Sequence, residues 1–518
     1  MSDATSVGKV YLVGAGPGDV GLLTLRAIEC LQLADFVLYD YLTAPRTLDF
    51  ARPEAEKFRV TQLPGTHAER WPHITAKIIE QARQGKSVVH LKGGDPLVFG
   101  RGAEEADALR AAGIPFEIVP GVSAAFAAAA CAEIPLTHRA CASAVALVTG
   151  HEEPGKAGAM LDWDALAKFP GTLAVYMGVT QLPHIVHELT SRGMSPQTPA
   201  AQVYRASTGE QRTVTAPLGQ LVDEVRRAGL GRPSLLLVGP AVAMRPQQLW
   251  FEARPLFGMR VMVTRPKAQA LPFVRKLELL GAIPLLLPTI EVRPAADWAP
   301  VDAAIERLAG GGYEWVVFTS ANGVTAFFDR LKSLSRDART FGRAQLAAIG
   351  PATATTLAEQ QLIADLVPTE QMNSERLAEM LVERCRDQRV LIVQAADGRG
   401  LLRQRLQAVA QVDFIAAYEQ AAAVDIASPV FERLRRGDVD AITLTSPNIA
   451  KALLAACDES IRSLLRTGRV QLVVNSVRLA EMLTGEGLSA TVATTPTVDG
   501  VTEALIALRQ TSKGTAPS

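Results

Sequence analysis

The sequence predicts an α/β protein assembled from repeated strand–turn–helix units. Two sets of observations predict it. Early in the chain, three short apolar runs (Val10–Val13, Ser87–Leu91 and Phe116–Val119) each break into a glycine-bearing turn followed by a helical pattern. The turns read Gly14-Ala15-Gly16-Pro17-Gly18-Asp19, Lys92-Gly93-Gly94-Asp95-Pro96 and Pro120-Gly121-Val122-Ser123-Ala124. Short apolar runs bounded by turns suit buried parallel strands. In the second half, Trp315–Asn322 (WVVFTSAN) is echoed by Ala441–Asn448 (AITLTSPN). Each is a strand ending in T-S-x-N, with a helix and then another strand about 30 residues on, as in a βαβ unit.

Composition sets the scale. A chain of 518 residues, 48% apolar, is long enough for roughly three to four lobes with sizeable cores. Formal net charge is zero, so no nucleic-acid footprint is expected. The five cysteines (30, 131, 141, 385 and 457) are scattered and never form CxxC. That pattern suits reduced thiols in a cytoplasmic protein without a zinc knuckle. No signal peptide and no membrane helix are expected.

Taken in order, the first turn follows strand Val10–Val13 and precedes helix Leu22–Leu33. A dinucleotide fingerprint from Gly14 requires glycine where Asp19 stands, and Pro17 removes a backbone N–H. The turn is therefore either a loop for a compact ligand or a plain strand–helix connection. Strand Phe36–Tyr39 ends in Asp40, which sits at a ligand-binding edge or caps a turn. Helix Ile74–Gln84 leads into the second glycine turn, where Gly93 and Gly94 let a ligand approach the backbone. Helix Glu104–Ala112 leads to the third. A second lobe begins near Cys141, with strands Val145–Val148, Thr172–Tyr176 and Ser234–Val238 and helix Ile185–Ser191. Residues 243–257 read as a linker. At Gly258 a new α/β pattern starts: strand Arg260–Thr264, helix Ala268–Leu280, strand Ile283–Leu287. No histidine follows His187, which excludes histidine acid–base chemistry and most metal chemistry from this half. The serines of the T-S-x-N repeats suit helix N-caps, beyond which free amides bind anions. They are either two mouths gripping a polycarboxylate or ordinary caps in a duplicated fold.

The motifs GAGPGD, LYDYL, LKGGDPLVFGRG, VPGVSAA, IPLTHR, LVTGH and YMGV, in this order, make residues 8–250 resemble the uroporphyrinogen-III C-methyltransferases of the tetrapyrrole methylase family. The resemblance implies two α/β lobes, about 8–136 and 137–250, with S-adenosylmethionine in the cleft between them, S-adenosylhomocysteine as product and no metal. It implies cofactor contacts at Pro17, Gly93, Gly94, Asp95, Val98, Ser123, Ala124, Met177 and, more weakly, Ala206. It places Asp40 where the family has its proton acceptor. Where the family reads V-G-K-R, this chain reads Val60-Thr61-Gln62-Leu63, so Gln62 stands at the lysine position. An amide donates hydrogen bonds but transfers no proton at neutral pH. Either that lysine is dispensable, another cation replaces it, or this half is impaired. The substrate's acetates and propionates call for arginine forks, with Arg26, Arg101, Arg139 and Arg205 as candidates.

Residues 258–509 resemble uroporphyrinogen-III synthases through VMVTRP, VVFTSANGV, AAIGPATA, NSERL, VLIVQAADGR, AAYEQ and LTSPN. That resemblance implies one lobe of about 258–292 plus 421–508, an inserted lobe of about 293–418, and two extended connectors. The implied chemistry is dehydrative closure of a linear hydroxymethyl tetrapyrrole with inversion of the last ring. It needs a shaped cleft and hydrogen-bond donors more than a strong nucleophile. Tyr418 is the candidate to help the hydroxyl leave. Ser320, Asn322, Thr353, Ser374, Gly398, Arg399, Thr445 and Ser446 are candidate carboxylate contacts. The tail 510–518 is expected to be disordered.

The expectation is a bifunctional enzyme that closes hydroxymethylbilane to uroporphyrinogen III and methylates it twice to precorrin-2, for sirohaem or cobalamin. A homodimer through the methyltransferase half is expected, with no nucleic-acid or membrane partner. The alternative is that only one half is active. The C-terminal half would then be a tetrapyrrole-sensing module, or the N-terminal half a degenerate scaffold because of Gln62.

Overall fold

The computed structural model describes residues 7–65, 69–151, 161–369, 373–396, 398 and 400–514. The chain packs as two compact units. One holds the residues up to 261 with 275–284 and the C-terminal residues from 505; the other holds 262–274 and 285–504. Among the described residues the strands form four five-stranded sheets.

The first sheet contains β1 (Val10–Gly14), β2 (Phe36–Tyr39), β3 (Glu56–Arg59), β4 (Val88–Lys92) and β5 (Phe116–Val119), in the order β3-β2-β4-β1-β5. All its pairings are parallel. Both faces are covered, which explains the unbroken apolar runs. Val10, Leu12, Phe36 and Leu38 pack with Ile78, Ala82 and Leu109 on one side. Tyr11, Val13, Val37 and Val89 pack with Ala27, Cys30 and Leu31 on the other. β4, β1 and β5 are neighbours, so the three glycine turns lie side by side at one edge.

The second sheet contains β6 (Val145–Thr149), β7 (Thr172–Tyr176), β8 (Pro199–Tyr204), β9 (Arg212–Pro217) and β10 (Ser234–Val238), in the order β6-β7-β10-β8-β9. Only β6 and β7 pair in parallel; the other pairings are antiparallel. Helix Ala124–Ala132 (AAFAAAACA) follows β5, yet Ala125, Ala128 and Ala132 join the core formed by Ala174, Ala201, Val203, Leu235 and Leu237. Its small side chains let it lie close on this sheet.

Residues 243–257 are packed rather than solvated. Phe251 and Leu256 are buried, the Trp250 indole N–H donates to the Ala130 carbonyl at 3.1 Å, and Arg245 Nε donates to the Ala132 carbonyl at 3.0 Å.

In the second half, β11 (Arg260–Val263) and β12 (Ile283–Leu286) are followed by β13 (Ile290–Pro294), β14 (Trp315–Phe318), β15 (Gln345–Ala348), β16 (Arg389–Ala395) and β17 (Gln411–Ala422), and then by β18 (Ala441–Leu444), β19 (Gln471–Val474) and β20 (Thr491–Val492). One sheet runs β12-β11-β18-β19-β20 and the other β13-β17-β16-β14-β15. The two expected connectors are paired: β13 runs antiparallel to the end of β17, with Pro294 opposite Tyr418. The tail differs from expectation. Helix Val498–Gly514 continues through Gln510 instead of fraying there, and 515–518 lie outside the described residues. No helix among the described residues is long and apolar enough to cross a membrane.

Candidate functional site

In the first unit the three glycine turns interlock through backbone. Ala15 N–H donates to the Lys92 carbonyl at 2.8 Å, Gly16 N–H to Gly94 O at 3.2 Å, and Gly94 N–H to Gly16 O at 2.9 Å. A Cβ on Gly121 would stand 2.2 Å from Gly94 O, so only glycine permits this approach. Gly94 itself has φ +69°, the left-handed region that favours glycine. Asp95 ties the second turn to the third: Oδ1 accepts from Leu97 N–H at 2.8 Å and Oδ2 from Gly121 N–H at 3.0 Å. Each carboxylate oxygen keeps a further acceptor site for a hydroxyl or ammonium. Val98 is half-buried, its N–H donating to Asp95 O at 3.3 Å.

The second lobe contributes from the end of β7. Tyr176 OH lies 2.7 Å from Ser123 Oγ, accepts from Ala125 N–H at 3.1 Å, and its ring meets Phe99 at 4.9 Å. Ala124 is thereby held between Ser123 and Ala125. The next residue, Met177, has φ 56° and is 48% exposed, so it is not a core methionine. Ser207 Oγ accepts from Asp19 N–H at 3.3 Å, which sets Ala206 and Ser207 over the Pro17–Asp19 turn. A cavity of about 370 Å³ opens beside that turn. Pro17, Tyr41, Thr43, Arg205 and Ser207 line it, with Glu278 and Pro284 from the 275–284 stretch of the same unit.

Asp40 does cap a turn, but with one oxygen. Leu42 N–H, Thr43 N–H and Thr43 Oγ1 all donate to Oδ1, at 2.8, 2.9 and 3.1 Å. Gln62 is exposed, and its amide oxygen accepts from Arg59 N–H at 3.0 Å. Three of the four arginine candidates already hold carboxylates. Arg26 is committed to Glu117 through two nitrogens and to Glu29 through a third. Arg101 pairs with Glu104 and lies over the Trp71 ring, and Arg205 pairs with Glu210. Arg139 is exposed and has no ion-pair partner among the described residues. No group of three potential metal-ligating side chains occurs among the described residues.

The structure adds a buried network that spacing did not reveal. Glu105 accepts from Lys92 Nζ at 2.6 Å and lies 3.0 Å from His90 Nδ1, all three side chains nearly inaccessible. Burial alone pushes the Glu105 carboxyl up, but His90 and Lys92 together outweigh it and hold its pKa down at about 2.

In the second unit Ser320 caps helix Ala321–Ser333, accepting from Gly323 N–H at 3.0 Å, and its Oγ lies 2.9 Å from the buried Tyr418 hydroxyl. Ser446 caps helix Pro447–Ala456 through Ile449 N–H at 3.3 Å. Between the two repeats, Gln269 donates to the Asn322 amide oxygen, and Arg265 Nε donates to Thr445 Oγ1 at 3.1 Å. Neither Arg265 nor Gln269 is among the sequence-predicted contacts, although Arg265 stands in the VMVTRP motif, just past a strand end.

Other synthase candidates fit less well. Thr353 is largely buried, 3% exposed, in the first turn of helix Pro351–Glu359. Ser374 is the first residue of its helix; the cap is Asn373, whose Oδ1 accepts from Arg376 N–H at 2.8 Å. Gly398 is tight against Gln394, its N–H donating to Ala395 O at 3.0 Å. Arg399 lies outside the described residues.

The two units thus present two α/β sites, one a cleft of interlocked glycine turns and the other a pair of capped helix mouths. Comparison with known proteins fixes the class. The family model described as Tetrapyrrole (Corrin/Porphyrin) Methylases matches residues 9–222, and that described as Uroporphyrinogen-III synthase HemD matches residues 272–503. A porphyrin biosynthesis protein HemD of Ruminiclostridium josui is 35% identical over 454 residues, 87% of this chain and 89% of that protein. A uroporphyrinogen-III C-methyltransferase of Bacillus subtilis is 40% identical over 332 residues, 64% of this chain and 68% of that protein. A crystal structure of the Thermus thermophilus uroporphyrin-III C-methyltransferase complexed with S-adenosylhomocysteine is 40% identical, covering 46% of this chain and 100% of that one, with TM-score 0.40. The chain belongs to the tetrapyrrole methylase and uroporphyrinogen-III synthase families, fused in that order. It is a bifunctional enzyme of tetrapyrrole biosynthesis.

Proposed function

We propose that residues 258–509 close hydroxymethylbilane to uroporphyrinogen III and that residues 8–250 methylate that product twice, giving precorrin-2. The observation that carries the reading is the meeting of Gly93-Gly94-Asp95, Ser123-Ala124 and Met177 at one edge of the first unit. Backbone contacts of 2.8 to 3.2 Å bind the first two glycine turns there, and Tyr176 links Ser123 to Met177. The residues fit S-adenosylmethionine. Gly94 opens the backbone, Asp95 retains acceptor sites for hydroxyls or an ammonium, and exposed Met177 offers apolar surface. When bound, that cofactor supplies an activated sulfonium methyl.

The chain's own residues then position the acceptor carbon and take its proton. Positioning of this kind can supply about 7–11 kcal/mol. Asp40 is the acceptor, through Oδ2, since its three turn contacts all fall on Oδ1. Gln62, exposed and bonded to its own turn, takes no part in proton transfer.

In the synthase part, the Tyr418 hydroxyl, aligned by Ser320, donates to the departing hydroxyl of the bilane. Helix amides beyond Ser320 and Ser446 receive carboxylates. A cytoplasmic homodimer through the methyltransferase part belongs to the same reading.

The test supplies hydroxymethylbilane and S-adenosylmethionine to the full chain and identifies products by mass and isomer. Dimethylated type III product is expected. Type I isomer alone would defeat the synthase assignment, and unmethylated type III the methyltransferase assignment.

A further inference from the structure

Arg265 is a cation without an anion among the described residues. It follows β11, and Thr445 follows β18, the neighbouring strand, so the two residues meet at one sheet edge. Thr445 Oγ1 accepts from Arg265 Nε at 3.1 Å and so fixes the direction of the guanidinium. No carboxylate among the described residues lies within ion-pair distance of it, whereas most other arginines of this unit hold one. Its four remaining N–H donors, on the two terminal nitrogens, make no hydrogen bond among the described residues, yet neither of those nitrogens is sealed from solvent. The side chain is half-buried, and burial lowers its pKa with no opposing charge. Taking a guanidinium partly out of water is costly unless an anion meets it. A planar fork of this kind, oriented and open, matches a carboxylate through two parallel hydrogen bonds. Around it stand groups of the right polarity: Ser446 capping the next helix, and Gln269, four residues on, bonded to Asn322 at the other repeat.

We propose that Arg265 binds one acetate or propionate carboxylate of the linear tetrapyrrole bidentately, with Thr445 as the positioning residue that aims it. This rests on the synthase reading given above. It adds a charged anchor to a site whose sequence-predicted contacts, Arg399 apart, are neutral hydroxyls, amides and backbone.

The experiment uses the full chain and measures KM and kcat for hydroxymethylbilane, the III:I isomer ratio and the melting temperature for Arg265→Gln, Arg265→Lys and Thr445→Val. Arg265→Gln should raise KM at least tenfold with an unchanged melting temperature and flatten its dependence on salt. Arg265→Lys, which keeps the charge but not the fork, should recover part of that loss. Should Arg265→Gln melt below the assay temperature, Thr445→Val is read in its place and should raise KM several-fold. A KM within twofold of wild type for a folded Arg265→Gln, or for Thr445→Val when it stands in, overturns the proposal. A parallel titration with uroporphyrin III separates this proposal from the synthase reading. If the wild-type chain forms only isomer I, the synthase reading fails. Binding of uroporphyrin III by wild type and at least tenfold weaker binding by Arg265→Gln would then still support the anchor, and equal binding would overturn it.

Discussion

At the scale of single residues, the first unit's most consequential side chain touches no expected ligand. Glu105 compensates two otherwise isolated polar groups, Lys92 Nζ and His90 Nδ1, inside the sheet's helix-covered face. Lys92 also accepts Ala15 N–H through its carbonyl, so the network stands directly beneath the Gly14–Gly18 and Gly93–Asp95 turns. Glu105→Gln leaves the ammonium buried with a neutral partner. Breaking a buried pair costs about 3–5 kcal/mol. Urea unfolding at pH 7 should register a loss approaching that range, accompanied by weaker S-adenosylmethionine binding. The pH dependence follows from the sign of the shift. The folded-state pKa of about 2 lies below the ordinary 4.5, so the stabilisation is fully present above pH 4.5 and is lost as pH falls from there toward 2. Between pH 5 and pH 3 the wild type should therefore lose more stability than Glu105→Gln. Equal slopes would show that the folded-state carboxyl keeps its ordinary pKa.

At the scale of elements, the glycine turns separate two reasons for glycine. Gly94 has room for a Cβ, with nothing nearer than 3.7 Å, but holds φ +69°. Gly121 has ordinary φ but no room. Gly94→Ala should cost about 1–2 kcal/mol from the left-handed backbone alone. Gly121→Ala, whose new atom would meet backbone at 2.2 Å, should cost more and should also weaken S-adenosylmethionine binding, as thermal melting and calorimetry would record. These turns were legible in sequence because strand, glycine and helix follow one another locally. The strands β1, β4 and β5 were legible for the same reason. The β8–β9 pair was not: Gln202 and two alanines give β8 no strong strand pattern, and its pairing is antiparallel in a chain that otherwise reads as βαβ units. The arginine candidates were drawn from the substrate's carboxylates without regard to local pairing, and Arg26 and Arg101 each have a glutamate three residues on, a spacing that pairs on a helical surface. The Glu105 network and Arg265–Thr445 were invisible for the converse reason, since their partners are 13 to 180 residues apart. In the second unit, Ser320 joins a helix cap to the Tyr418 hydroxyl. Ser320→Ala should destabilise by about 0.5–2 kcal/mol through the cap. Tyr418→Phe should slow ring closure about two- to tenfold through loss of one hydrogen bond. A double-mutant cycle on the closure rate should give less than the sum of the two effects, because each removes the same contact.

At the scale of the whole molecule, the residues proposed for the two reactions fall in different units, Asp40 in the first and Tyr418 in the second. A lesion in one should therefore be separable from the other by choice of substrate. Asp40→Asn suits this purpose. The amide oxygen can still accept the three turn contacts now made by Oδ1, so the loop after β2 keeps its shape while the proton acceptor is removed. General-base removal typically costs 10²–10⁴-fold in rate. Given hydroxymethylbilane and S-adenosylmethionine, the Asp40→Asn chain should accumulate unmethylated uroporphyrinogen III at the wild-type rate of closure. Tyr418→Phe should release less type III product and correspondingly less methylated product. When uroporphyrinogen III is supplied directly, its methylation should return to the wild-type rate. Methylation that stays slow in Tyr418→Phe despite supplied uroporphyrinogen III, or closure that slows in Asp40→Asn, would mean that the two sites are coupled through the chain rather than joined in series by a released intermediate.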